Sequence, residues 1–195
     1  MSGFSFTADN AKAAQAFIAR YPESREQSAV MPILDLAQRQ NGGWLSDAAI
    51  AHVADLLAMP RIRVLEIASF YSMYHQKPVG KHVVGVCTTT PCWLRGSTDI
   101  LDTCRKALDI EVGETTEDGL FTLTEVECLG ACCNAPMLQI GDDYYEDLDS
   151  DSTRKILEAL RRGETPKPGS QTGRRTSEPA SGLTTLKDSQ KPETV

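Results

Sequence analysis

From Ser24 to Tyr74 apolar residues recur every three or four positions, the repeat of helices that each bury one face. Val30, Ile33, Leu34 and Ala37 form the first stripe, and Ser24-Arg25-Glu26-Gln27 ahead of them fits a capping box. Pro32 lies inside that stripe and must either kink the helix or mark its true start. Gly42 and Gly43 end it. Ser46 is placed to cap a second helix carrying Ile50, Val53, Ala54 and Leu57. Pro60 suits the first turn of a third, running from Arg61 to about Tyr74. His52 and His75 each stand alone, which favours a packing role over a ligand role. The pattern predicts a helical unit over residues 1–78 that serves packing or docking.

After Pro78 the period shortens. Lys81 to Cys87 (KHVVGVC) is a β-rich run, and Leu120 to Val126 alternates, with Phe121, Leu123 and Glu125 on one side. Between them, Ile100, Leu101, Cys104 and Leu108 share one face of a helix over Ser97 to Asp109. Met137 to Ile140 and Tyr144-Tyr145 flank Gly141-Asp142-Asp143, the pattern of a hairpin with a tight polar turn. A last helix over Ser152 to Arg162 carries Ile156, Leu157 and Leu160. Strand, helix, strand, hairpin and helix make a small α/β sandwich over residues 79–163, so the whole chain is of α+β class. From Glu164 the chain turns to Pro, Gly, Ser, Thr and charge, with little to bury, and 164–195 is expected to be a flexible tail.

Composition changes this picture in two ways. At 41% hydrophobic and 24% charged residues the chain has the make-up of a folded globular protein, so disorder is confined to the tail. A formal net charge of −7 argues against nucleic acid as a partner, since such binders carry basic surfaces. No apolar run is long enough to span a bilayer. The opening MSGFSFTADN has neither the basic start and apolar core of a secretory signal nor the early arginines of a mitochondrial presequence. The expected setting is therefore intracellular, without a membrane span.

In a reducing compartment the six cysteines point to metal binding or catalysis, not disulfides. Four of them follow strands in two pairs: Cys87 and Cys92, spaced C-x4-C, and Cys128 and Cys132, spaced C-x3-C. The stretch from Trp93 to Glu127 holds a helix and a strand, enough to fold back and bring the loops together. Four converging thiolates suit a tetrahedral zinc or an iron–sulfur cluster. Structural zinc favours tight C-x2-C knuckles, whereas wider spacings let two loops surround a larger object such as a [2Fe–2S] rhomb. A thioredoxin-type disulfide catalyst needs C-x-x-C at a helix start and fits poorly. Thr88, Thr89 and Thr90 offer hydroxyls to cluster sulfurs, and Gly130 permits close backbone approach. Plain β-propensity also accounts for the threonines. Cys104, on the apolar face of a helix, reads as a small buried hydrophobe.

With these residues placed, the chain resembles the 24-kDa-type subunits of NADH–quinone oxidoreductase (respiratory complex I). The resemblance rests on FYSMY at 70–74, KPVGK at 77–81, VCTTTPCWLRGS at 86–97, DGLFTLTEVECLGAC at 118–132 and NAPM at 134–137. It spans about residues 8 to 162. It implies a helical N-terminal segment joined to a thioredoxin-like ferredoxin domain with one [2Fe–2S] cluster held by Cys87, Cys92, Cys128 and Cys132, each loop pair on a different iron. Cys133 is then a bystander. The resemblance also implies a partner subunit that binds FMN and NADH and exchanges single electrons with this cluster, and a neighbouring large iron–sulfur subunit. The assembly would sit peripherally on the cytoplasmic face of a bacterial inner membrane, or on the matrix side in mitochondria. NADH delivers two electrons as hydride while such clusters take one, so a flavin must stand between them. This chain has no G-x-G-x-x-G element of its own. The long tail departs from the compact family pattern. Two other readings share the cysteine pattern: the equivalent subunit of an NAD-reducing hydrogenase or formate dehydrogenase, and a zinc-stabilised interaction module without redox activity.

Overall fold

The computed structural model describes residues 3–175, 177–179, 181–182 and 184–185. The chain divides into two compact units between Lys81 and His82.

The first unit is helical. Helix α1 (Ala8–Ile18) is capped by Thr7, whose hydroxyl accepts from the Asn10 N–H at 3.3 Å. Helix α2 (Val30–Gln40) buries Val30, Ile33, Leu34 and Ala37, the stripe read from the sequence. Pro32 falls in its first turn, where a missing N–H costs no helical hydrogen bond, so it marks a start and not a kink. The expected capping box is not formed: Ser24 has φ 67°, its N–H donates to Glu26, and Glu26–Ala29 is a short 3-10 turn. Helix α3 (Asp47–Leu56) has the predicted Ser46 cap on the Ala49 N–H, and buries Ala49, Ile50, Val53 and Ala54.

Helix α4 (Arg61–Phe70) begins one residue after Pro60, which sits at the N-cap, and it stops short of Tyr74. The reason is tertiary. The Gln38 side chain donates to the Met73 carbonyl and accepts from the His75 N–H, while the Leu45 N–H donates to the His75 carbonyl. The turn so formed drops Tyr74 into the core, where its hydroxyl donates to the Met31 carbonyl at 2.8 Å. Burial first, then the charge of Asp35, pushes the Tyr74 phenol up to about 12. His52 packs edge-on against Phe4 and Phe6, and burial lowers the pKa of His75.

The second unit is a five-stranded sheet ordered β2-β1-β3-β4-β5. Strand β1 (His82–Cys87) runs parallel to β2 (Phe121–Val126), because helix α6 (Ser97–Leu108) carries the chain back between them. Strands β3 (Leu138–Ile140) and β4 (Asp143–Glu146) form the predicted hairpin, with β3 antiparallel to β1. Helix α7 (Ser150–Arg161) is capped by Asp149 in a reciprocal box with Ser152, and packs beside α6. Ile156, Leu157 and Leu160 join Ile100, Leu108 and Phe121 in the core. Cys104 is fully buried there, as expected. On β2, Glu125 is exposed, so Phe121 and Leu123 are the inward residues and the predicted alternation stops before the strand ends.

The segment after Glu164 differs from a flexible tail. Strand β5 (Gly169–Ser170) pairs in parallel with Tyr145 and Glu146 at the sheet edge. The Gln171 N–H donates to the Glu146 carbonyl. Arg174 forms a largely buried ion pair with Asp147. Hydrogen bonds and one ion pair hold this segment where apolar burial is lacking, a device that composition does not reveal. Most of the remaining tail lies outside the described residues. No described helix is long and apolar enough to cross a membrane.

Candidate metal centre

Parallel pairing sets the geometry. Cys87 pairs with Val126 at the carboxyl ends of β1 and β2, so the loops that leave these strands start side by side. The first loop runs into a short helix, α5 (Thr90–Leu94), which carries Cys92. The second spans Glu127–Ala131 and ends in a 3-10 turn, Cys132–Asn134.

The two loops differ in setting. Cys87 and Cys92 are each 1% exposed and pack with Ala135 and Met137. Cys128 is exposed and Cys132 half-buried. Cys128 Sγ lies 3.3 Å from Cys132 Sγ and accepts from the Gly130 N–H at 3.4 Å. Cys87 Sγ lies 3.4 Å from Thr89 Oγ1, and the Thr89 hydroxyl also interacts with Cys128, so one side chain bridges the loops. Thr88 turns away and donates to Glu125. Of the three threonine hydroxyls, Thr89 is the one that meets the sulfurs. Gly130 has φ 85° with open space beside it, so the backbone conformation requires glycine there, not a close approach.

Each pair is electronically asymmetric. Burial would raise the Cys87 thiol, but the Thr89 hydroxyl and N–H, the Cys92 thiol and the Leu129 N–H together bring it below its ordinary value. Burial, then hydrogen bonding and charge from Cys87, pushes Cys92 up to about 12. In the second pair the Gly130 N–H and the Cys132 thiol lower Cys128, and Cys132 rises chiefly because it donates to Cys128. One sulfur in each pair thus carries charge readily while its neighbour supplies a proton that a metal would displace.

The donor set fits an iron–sulfur cluster better than one zinc ion. The thiols stand as two close pairs on facing loops, joined by Thr89, which suits two metal ions bridged by sulfide. Backbone N–H groups of Gly130 and Leu129 and the Thr89 hydroxyl point at the sulfurs, as an anionic centre needs.

The spacing argument singled out Cys87, Cys92, Cys128 and Cys132, and the fold places them as two pairs on loops that leave neighbouring strand ends. It leaves Cys104 in the core and Cys133 exposed. What the sequence missed are the anchors of the second loop. The Tyr144 hydroxyl donates to the Leu129 carbonyl at 3.0 Å. The Asp147 N–H donates to the Asn134 carbonyl at 2.7 Å. The Arg174 guanidinium donates to the Cys133 carbonyl at 2.8 Å. No motif marks them, because each reaches the loop across strands or from the tail.

Comparison with known proteins finds relatives over most of the chain. A subunit of the NADH-quinone oxidoreductase of Rickettsia conorii (strain ATCC VR-613 / Malish 7) is 55% identical over 161 residues, covering 83% of this chain and 96% of the relative. NADH dehydrogenase [ubiquinone] flavoprotein 2, mitochondrial, of Dictyostelium discoideum is 50% identical over 183 residues. That match covers 94% of this chain and 74% of the relative, and so runs past Glu164 through Arg174. An NAD+-reducing [NiFe]-hydrogenase crystal structure shares the fold, at TM-score 0.58 and 21% identity over 67% of this chain and 23% of that one. A family model for the thioredoxin-like [2Fe-2S] ferredoxins matches residues 14–161, and the chain belongs to that family.

Proposed function

We propose that this chain is the 24-kDa-type [2Fe–2S] electron-transfer subunit of an NADH–quinone oxidoreductase, with Cys87, Cys92, Cys128 and Cys132 as the cluster ligands. The observation that carries the ligand assignment is the convergence of two thiol pairs at the carboxyl ends of two parallel strands, bridged by Thr89. Identity of 50% and 55% to NADH dehydrogenase subunits, over most of the chain, supports the host complex.

When bound, such a cluster accepts and returns one electron at a time. The chain's residues supply the rest. Cys87 and Cys92, buried on Met137 and Ala135, keep water from one edge of the site. Thr89 and the Gly130 N–H offset the negative charge at the sulfurs. Trp93 and Leu94, 61% and 70% exposed beside Cys92, leave an apolar surface next to the centre. NADH and FMN belong to a partner subunit, in keeping with a chain that carries no G-x-G-x-x-G element, and a large iron–sulfur subunit is a further neighbour. The assembly would be peripheral, on the cytoplasmic face of a bacterial inner membrane.

The test is direct. The chain purified without oxygen should be reddish-brown, contain labile sulfide and give an EPR signal on reduction. Co-purified with its flavin-bearing partner, the signal should appear on adding NADH. Colourless protein with one zinc per chain would refute the reading.

A further inference from the structure

The loop bearing Cys128 and Cys132 is exposed, yet it is tied down by a segment that lies beyond the last helix. Arg174 is the centre of that tie. Its Nε donates to Asp147 Oδ2 at 3.0 Å, and Nη2 donates to Asp147 Oδ1 and, at 2.8 Å, to the Cys133 carbonyl. Nη1 donates to the Glu178 carbonyl at 2.9 Å. The side chains of Arg174 and Asp147 are 15% and 11% exposed, so the pair is well withdrawn from water. Asp147 in turn accepts from the Ser170 hydroxyl at 2.6 Å and from the Asn134 side-chain amide at 3.3 Å. Its own N–H donates to the Asn134 carbonyl. Asp147 sits at φ 53°, an uncommon backbone state for a residue with a side chain, which this network holds in place.

These contacts converge on two of the three residues in one 3-10 turn: Cys133 through its carbonyl, and Asn134 through its carbonyl and amide. Cys132 begins that turn. We propose that Arg174, with Asp147 as its relay, is a positioning residue for the cluster ligand Cys132, and that the 164–175 segment is a strap that locks the exposed ligand loop. The inference rests on the ligand assignment above. The guanidinium is suited to this because its planar fork grips a carboxylate with two N–H groups and still has donors for the Cys133 and Glu178 carbonyls. Lysine, with three donors on a single nitrogen and no planar fork, cannot make all four contacts at once. The buried pair Cys87 and Cys92 has no such need, since a strand end and a helix already hold it.

The experiment compares the full-length chain with Arg174→Gln, Arg174→Lys and a chain ended after Pro168, all purified without oxygen. Readouts are iron and labile sulfide per chain, the rate of cluster loss to an iron chelator, and the EPR spectrum of the reduced cluster. Partners that orient metal ligands are worth roughly 10- to 100-fold in metal retention. Arg174→Gln and the shortened chain should therefore lose the cluster about tenfold faster or more. The EPR line positions of the remaining cluster should shift, because one ligand sulfur is less constrained. Arg174→Lys should restore retention only in part. Arg162→Gln, which removes an exposed pair with Glu164 outside the network, is the control and should match the parent. A mere loss of fold stability would lower the melting temperature while leaving the line positions untouched, and that result overturns the inference. So does parental retention in both Arg174→Gln and the shortened chain. A parent chain that holds no cluster would instead overturn the functional reading, and this inference with it.

Discussion

The two cysteine loops do the same chemical task by different physical means. Cys87 closes a central strand and Cys92 sits on a helix, both 1% exposed and packed on Met137 and Ala135. Cys128 lies exposed in a loop and Cys132, half-buried, begins a short 3-10 turn, both held by hydrogen bonds from Tyr144, Asp147 and Arg174. Secondary structure is enough to place a ligand where it also buries it. An exposed ligand lacks that support, and remote side chains must limit its freedom.

Substitutions in either loop test this contrast. The largest effect is expected from the ligands: Cys92→Ser and Cys132→Ser should each lower iron content roughly tenfold or more, read by iron and sulfide assay. Cys92→Ser should also depress the melting temperature of the cluster-free chain, because it puts a hydroxyl into an apolar pocket. Cys132→Ser, near the surface, should not. Equal destabilisation by both would erase the distinction between the loops.

Next comes acid sensitivity of the strap. Burial would raise the Asp147 carboxyl, but bonds from Arg174, Ser170 and Asn134 hold it below the usual carboxylate range. A native value below the unfolded one, about 3.9, means stabilisation that is complete above that pH and lost as pH falls through the native value. Asp147→Asn should remove this contribution. The stability difference between parent and variant, measured on cluster-free chains by thermal unfolding, should therefore shrink steadily below about pH 4. A difference that stays constant down to about pH 2 would show that the carboxylate does not matter.

Tyr144→Phe should be milder, costing about 1 kcal/mol by deleting the bond to Leu129, with a few-fold faster cluster loss to chelator. The smallest effect is expected from Cys133→Ser. Its side chain is exposed and only its carbonyl is used, so the EPR spectrum and cluster content should match the parent. Loss of the signal in that variant would mean that the ligand has been assigned to the wrong member of the adjacent pair.

Much of this was legible in the chain before folding. The helical stripes at Val30–Ala37 and Ile50–Leu57, the strands that became β1 and β2, the hairpin and the last helix all follow from periodicity, since a buried face must recur at the period of its element. Cysteine spacing named the four thiols that meet. Local signals failed where a distant partner intervened. Ser24 offered a cap that the chain did not use, and Gln38 ended α4 at Phe70 by capturing the turn around Met73 and His75. Thr88, Thr89 and Thr90 look alike in sequence, yet Thr89 faces the sulfurs and Thr88 faces Glu125.

The tail shows the boundary most clearly. Its composition says that it cannot bury a core of its own, and that remains true of residues 164–175. What composition does not carry is that an arginine there meets an aspartate at the end of β4 and a carbonyl beside Cys132. The helical and strand stripes and the two cysteine pairs could be read along the chain, because periodicity and spacing are properties of neighbours, and the resemblance to a family rested on short motifs in the same stretches. Which loop is buried, which threonine serves the sulfurs and what ties down the exposed ligands could not. Those are contacts between residues far apart in sequence, and they exist only once the sheet has brought them within reach.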